Sequence, residues 1–289
     1  MDFDTDKRYF LLKCPSCFIV HTFPRLNKHE LRNKYSEYRE EENGGRFLFM
    51  FDNLITKWHL RRPRAVTKIL KRRGKVLDVG CGRGTELSFF KQDGWKVVGT
   101  ELRDHHYSFP VYTKDIWKLK FRPGIFDVVM FLHSLEHMIF PSKALNASRV
   151  LLKKGGLLLV AVPNYSSLER KIFGKNWFHL DIPRHYSHFD ESFFRKWAKV
   201  YKFKIINESH VAPEYDLYSV LQSTLNILPF PKNLLYNFLL VKKRLSGRQR
   251  LLLLLQLPFT FVFLPILLLV PLLWLTKQAG TIELVLMKE

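Results

Sequence analysis

Val76-Leu77-Asp78-Val79-Gly80-Cys81-Gly82-Arg83-Gly84-Thr85-Glu86 is the stretch on which the fold turns. Lys75–Val79 is a short β-branched run, and a helical pattern follows over Thr85–Gln92. Gly80, Gly82 and Gly84 stand between them. Glycine tolerates positive φ and lacks the Cβ that would hold a ligand off the backbone. The first turn of the following helix offers backbone N–H groups. Strand, glycine turn and helix in this order predict a nucleotide-type cofactor site at the carboxyl end of a parallel strand. Glu101 closes the next apolar run, Trp95–Thr100, 21 residues beyond Gly80. A carboxylate there can accept hydrogen bonds from both ribose hydroxyls. Two cofactor types compete for such a loop. The spacing here is G-x-G-x-G, whereas the dinucleotide fingerprint is G-x-G-x-x-G. Asp78, just before the glycines, suits a ligand carrying ammonium and sulfonium charges and repels a pyrophosphate.

Further apolar runs extend the pattern. Phe126–Leu132 and Gly156–Val162 read as strands, with a helix over Pro141–Leu152 between them. Continuous apolar strands alternating with helices predict a parallel sheet covered on both faces. Lys202–Glu208 and Thr281–Met287 read as two more strands. Residues 1–45 read as polar and irregular, except for a helix near Lys28–Glu42 that Gly44-Gly45 ends. Residues 46–73 carry helical apolar spacing at Phe47, Met50, Phe51, Leu54, Ile55 and Trp58, interrupted by Pro63.

VLDVGCGRG followed by Glu101 resembles the opening motifs of class I S-adenosylmethionine-dependent methyltransferases. Asp115 in TKDIW resembles the acidic residue that meets the adenine amine in that family. FDVVMFLHSLEHM resembles its fourth strand and the Leu-Glu-His segment of its small-molecule branch, and KKGGLLLVAVPN its fifth strand. DIPRHYSHFDESFFRKW resembles a subgroup similar to ubiquinone-biosynthesis and lipid-modifying methyltransferases. The resemblance covers residues 60–210 and extends to the strand at 281–287. It implies an α/β, Rossmann-like, seven-stranded, mostly parallel sheet with an antiparallel last strand. It also implies S-adenosylmethionine as cofactor, held by Asp78, Gly80, Gly82, Gly84, Glu101 and Asp115.

Methyl transfer from a sulfonium needs alignment above all. For a hydroxyl acceptor a base assists, and histidine is the natural type. His133, His137, His185 and His188 follow the fourth and fifth strands. His137, in the Leu-Glu-His motif, and His185, in PRHY, are the catalytic candidates. The expected acceptor is small, amphipathic or lipid-linked, and methylated at oxygen. Two alternatives stay open: a dinucleotide oxidoreductase, and a non-catalytic membrane-surface or RNA-binding module that keeps the fold. Methylation of base amines goes with an Asn/Asp-Pro-Pro-Tyr/Phe loop after the fourth strand. LHSLEHM stands there instead, which speaks against nucleic acid.

The chain has 289 residues and a formal charge of +21, so a polyanionic neighbour is expected. Its 47% hydrophobic content suffices for a full core. Its 3 cysteines exclude a disulfide-stapled scaffold. The opening MDFDTDKRYFLLK lacks the pattern of a cleavable signal, so a cytoplasmic location is the expectation. Cys14-Pro15-Ser16-Cys17 forms a CxxC knuckle. A structural zinc needs four ligands, and His21 and His29 are the nearest supplements to the pair. The stretch resembles the second half of a zinc ribbon whose first half is missing, so free thiols and no metal are expected.

From Leu251 to Thr276 no residue is charged. A straight helix of that length would be about 39 Å long, more than the ~30 Å hydrocarbon core. Pro258, Pro265 and Pro271 should kink or break it. If Thr281–Met287 joins the sheet, a single crossing is excluded. The expectation is a re-entrant or interfacial hairpin on the inner face of a membrane. Lys242, Lys243, Arg244, Arg248, Arg250 and Lys277 flank it, each worth roughly 1 kcal/mol at an anionic surface. The expected organisation is an N-terminal cap (1–60), a methyltransferase core (61–210 with 280–289) and a basic, apolar insertion (211–279) acting as a membrane-associated lid. Burial of that insertion on its own domain, or a dimer interface, is the competing reading.

Overall fold

The computed structural model describes residues 8–26, 30, 60–102, 106–240 and 246–289. The helix expected near Lys28–Glu42 and the apolar positions Phe47–Trp58 lie outside them, apart from Glu30, which is helical. A sheet of seven strands forms the centre, in the order β5-β4-β3-β6-β7-β10-β9. Its strands are β3 (Lys75–Val79), β4 (Lys96–Thr100), β5 (Val111–Tyr112), β6 (Phe126–Leu132), β7 (Leu152–Pro163), β9 (Phe203–Ser209) and β10 (Thr281–Lys288). β3, β4, β5, β6 and β7 run parallel, and β10 lies antiparallel between β7 and β9. The Rossmann-like sheet with its antiparallel last strand is therefore as the sequence led us to expect. β5 is two residues long, too short for periodicity to reveal.

Alternation along the central strands sorts their side chains into two cores. Leu77, Val79, Val129, Phe131, Leu158 and Val160 enter one cluster. Val76, Val128, Met130, Leu157 and Leu159 enter the other. Both faces are covered, which is why these strands are apolar at nearly every position, Asp78 of β3 and Asp127 of β6 being buried exceptions. α1 (Arg61–Leu70) precedes β3, α2 (Thr85–Gln92) follows it, α3 (Pro141–Leu151) joins β6 to β7, and α5 (Glu191–Tyr201) precedes β9. α4 (Leu168–Phe173) follows β7.

Residues 8–26 are not irregular. β1 (Phe10–Lys13) and β2 (Val20–Phe23) form a hairpin around the CxxC turn. β2 also pairs with β8 (Ser187–His188), in register Val20 to His188. The hairpin therefore braces the PRHY segment. The Thr22 N–H donates to the Tyr186 carbonyl at 3.0 Å, and the Thr22 hydroxyl donates to the His185 carbonyl at 2.7 Å. Ile19 is buried in the main core. The pairing partner lies more than 160 positions away, so nothing local announced it. Cys14 and Cys17 are free thiols. Hydrogen bonding with Ser16 and Cys17 lowers Cys14 to about 6.

The insertion holds α6 (Pro213–Leu225), α7 (Leu234–Leu240), α8 (Gly247–Phe263) and α9 (Val270–Leu275). A 3₁₀ run, Leu264–Leu269, joins α8 to α9, so Gly247–Leu275 is one continuous helical rod rather than a hairpin. Pro265 and Pro271 occupy the first positions of new turns, where a missing N–H costs little. Pro258 alone is interior to a helix. Ser246 caps α8 reciprocally with Gln249. Glu169, on α4, ties the insertion to the sheet. Its carboxylate accepts from the Ser219 hydroxyl at 2.7 Å and from the Gly280 N–H at 2.9 Å.

Arg62, on α1, is buried and reaches three elements at once. It donates to Glu283 of β10 at 3.0 Å and to Glu86 of α2 at 3.2 Å, and faces Glu214 of α6 at 3.7 Å. Burial opposes its charge, and Glu283, Glu86 and Glu214 more than offset that, so the proton is held more tightly than usual. Removing the cation strands buried carboxylates. Arg62→Met is expected to lower stability by about 3–5 kcal/mol in urea unfolding. Arg62→Lys, which keeps the charge but not the fork, should lose less.

Candidate active site

β3, β4 and β6 end at one edge of the sheet, and a cavity of about 710 Å³ opens there. That volume lies within the roughly 300–1,000 Å³ of small-molecule sites. The glycine loop forms one wall. Gly82 lines the cavity with φ +51, and a Cβ on it would meet nothing within 4 Å, so the space beside its backbone is open. Gly80 also lines it, and a Cβ there would come within 2.6 Å of Ser134 Cβ. Gly84 is off the wall and is needed for packing: φ is +75, and a Cβ would meet Phe109 at 2.4 Å.

Glu101 stands at the end of β4 and lines the cavity. Its carboxylate accepts the Gly82 N–H at 2.9 Å and the Leu102 N–H at 2.7 Å, so it also shapes the loop. Asp115 lines it too, paired with Lys118 at 2.5 Å. Asp78 is placed differently. It is buried within β3, is not part of the wall, and its Oδ1 has no hydrogen-bond partner. Burial, then the nearby Glu86, push its carboxyl up to about 8. That carboxyl lies within the strand beneath the loop rather than on the cavity wall.

Much of the remaining wall is aromatic. His133, His137, Phe140, Tyr186 and Tyr215 line it. His137 Nδ1 lies 3.2 Å from the Arg184 carbonyl. A carbonyl only accepts, so Nδ1 carries the hydrogen and Nε2 is the basic nitrogen of the neutral ring. His185 is buried behind His137, with ring centroids 4.6 Å apart, and does not line the cavity. Its Nδ1 donates to the His179 carbonyl at 2.8 Å. His188 is also buried, within β8. The PRHY segment thus supports the wall with His185 and contributes Arg184 and Tyr186 to it.

Sequence reasoning missed Tyr215, Tyr186 and Ser134. Tyr215 belongs to α6 and packs against His133 at 3.9 Å between centroids. It sits in the insertion, where no motif marks it. The Ser134 hydroxyl donates to the Val79 carbonyl at 2.5 Å and locks β6 to β3 beneath the loop. Glu136, His137 and His185 each place a ligand atom within 4.8 Å of the others, a set able to hold a divalent cation.

A family profile described as a methyltransferase domain matches residues 49–208. The ubiquinone biosynthesis O-methyltransferase of Sodalis glossinidius (strain morsitans) is 27% identical, over 47% of this chain and 67% of that protein. The 2-methyl-6-phytyl-1,4-hydroquinone methyltransferase of Synechocystis sp. is 36% identical, over 30% of this chain and only 31% of its own length. Among solved structures, a SAM dependent methyltransferase from Archaeoglobus fulgidus superposes with a TM-score of 0.51 at 17% identity, covering 84% of this chain and 100% of that one. At that identity the likeness is one of fold. The chain belongs to the methyltransferase-domain family. It is a methyltransferase, and S-adenosylmethionine is its cofactor.

The wall behind His137 makes the fold acid-sensitive. Burial holds His179 and His188 down to about 3 and His185 well below its usual value. Above about pH 6.5 these rings are neutral in both folded and unfolded chains. Below it, only the unfolded chain takes up their protons. Stability should fall from pH 6.5 towards pH 3, by up to about 1.4 kcal/mol per pH unit for each ring. Thermal melts across that range check this, and His188→Gln should make the slope shallower.

Proposed function

We propose that the chain methylates a hydroxyl oxygen of a small amphipathic acceptor whose reacting part is a phenol or hydroquinone. The observation that carries this reading is the composition of the cavity, whose wall holds carboxylates and open glycine backbone together with a histidine and several aromatic rings. The names of the Sodalis and Synechocystis relatives support the acceptor class.

The residues present suit the cofactor. The backbone beside Gly82 is open to a ligand, and Glu101 would hold ribose hydroxyls. Asp115 would meet the base, with Leu102, Ile116 and Trp117 offering apolar surface for it. Gly80 and Gly84 keep the loop in shape, and Asp78 lies beneath it. When bound, S-adenosylmethionine supplies a methyl group already activated on a sulfonium.

The chain's own task is alignment and proton removal. Tyr186 and Tyr215 would offer ring surface to an aromatic acceptor. His137 Nε2 would take the hydroxyl proton, because Nδ1 is committed to Arg184. His185 is a positioning residue, packed against the His137 ring from behind.

Two measurements test this. In calorimetric titration, S-adenosylhomocysteine should bind the wild type while NADH does not. Glu101→Ala should weaken binding by about 10–100-fold, as expected for loss of a hydrogen bond to a charged group. Second, with methyl-labelled S-adenosylmethionine and a panel of catechols and hydroquinones, the label should appear as an aryl methyl ether. His137→Ala should cut kcat by about 10²-fold or more with S-adenosylhomocysteine affinity unchanged. Label recovered on nitrogen or carbon, or a His137→Ala enzyme of wild-type rate, would overturn the assignment.

A further inference from the structure

The rod Gly247–Leu275 is packed on one side and bare on the other. Only 17% of its most apolar window is buried. Leu253, Gln256 and Val270 turn inward, and Leu253 packs with Leu225 of α6 and with Leu234 and Leu235 of α7. On the other side Phe261, Val262, Leu268 and Leu275 are exposed by 72%, 70%, 80% and 83%. An apolar patch of this extent marks an interaction surface.

We propose that this bare side lies flat in the interfacial layer of an anionic phospholipid bilayer. Three observations favour lipid over any other cover. First, the rod cannot cross. It is docked lengthwise on its own domain, the Trp274 indole N–H donates to Asp216 at 2.7 Å, and β10 follows directly into the sheet. Second, the charge along this part of the chain has one sign, although Lys277 reaches a carboxylate from outside it, Glu208, at 3.4 Å. From Leu217 through Ile282 there is no Asp or Glu, while Lys232, Lys242, Lys243, Arg244, Arg248, Arg250 and Lys277 all fall there. Lys242, Lys243 and Arg244 are outside the described residues. Third, a second copy is a poor match. Paired in parallel, Arg248 and Arg250 meet their own charge; paired antiparallel, they meet Lys277, whose charge Glu208 offsets only in part. An anionic headgroup layer complements both ends together, and acyl chains complement the middle.

The rod is linked to the cavity through α6. α6 carries Tyr215 on the cavity wall, and the next residue, Asp216, holds Trp274 of the rod. A bilayer under the rod therefore brings the domain's aromatic, acceptor-side wall close to the lipid. This part rests on the methyl-transfer reading and deepens it: the acceptor is lipid-soluble and enters from the membrane.

The test is flotation of the full chain with vesicles of phosphatidylcholine, alone or mixed with phosphatidylglycerol. The wild type should float with the anionic vesicles, roughly tenfold or more tighter than with neutral ones. Val262→Glu and Leu268→Glu alter only exposed positions, and each should lower flotation by a similar factor. Arg248→Gln with Arg250→Gln should reduce the preference for anionic lipid. S-adenosylhomocysteine binding, measured on every variant, should stay at the wild-type level, which also shows that the variants fold. Wild-type protein that ignores both vesicles, or glutamate variants that float like wild type, would overturn the docking. So would a vesicle-indifferent dimer that Val262→Glu splits into monomers, since a second copy would then cover the face. In each case intact S-adenosylhomocysteine binding leaves methyl transfer standing. Loss of that binding in a wild type that still floats would remove the methyl-transfer reading and keep the docking.

Discussion

One buried guanidinium ties the architecture together. Arg62 joins a helix before the sheet, the helix that leaves the glycine loop, the first helix of the insertion and the last strand. Its three carboxylate partners lie far apart in sequence, and they would repel one another without it. Glu283 is held below the usual carboxylate range, Arg62 and then Arg61 outweighing its burial. Asp78, one layer further in, is pushed the other way, because burial and Glu86 outweigh Arg62 there. The same cation thus pins the helix that leaves the loop and offsets only part of the upward push on the strand carboxyl beneath it.

The cavity is assembled from two kinds of material. The part of the wall that suits a nucleoside comes from strand termini and the loops directly after them, at Gly80, Gly82, Glu101 and Asp115. Other parts come from segments that the sheet does not position by itself. The N-terminal hairpin pairs with β8 and braces Arg184 to His188 from outside. α6 delivers Tyr215 against His133. This division has a physical consequence. The glycine loop and Glu101 are held by the central sheet, whereas the placing of Tyr186 and Tyr215 depends on a short three-stranded sheet and on an insertion anchored through Glu169.

The insertion shows how far proline reasoning carries. Pro258, Pro265 and Pro271 suggested a broken helix, because an interior proline removes a hydrogen bond. Two of them instead open new turns, and the 3₁₀ run between α8 and α9 absorbs the change in pitch. A rod results, with one side fixed on α6 and the other bare.

The sequence by itself determined most of the sheet and the glycine loop at the end of its first parallel strand. Those features are local: an apolar run is a strand wherever it is buried on both faces, and glycines at 80, 82 and 84 report a turn from their own φ angles. The alternation of strand and helix then leaves few topologies open. Tertiary structure decided the rest. Asp78 and His185 carry the residue types of a ligand-facing group, yet both are buried off the cavity wall. Tyr215, Tyr186 and the N-terminal hairpin matter only because distant segments fold against each other. Which side of a strand or helix faces a cavity depends on what packs against it. That information is shared among residues more than a hundred positions apart, and no local pattern holds it.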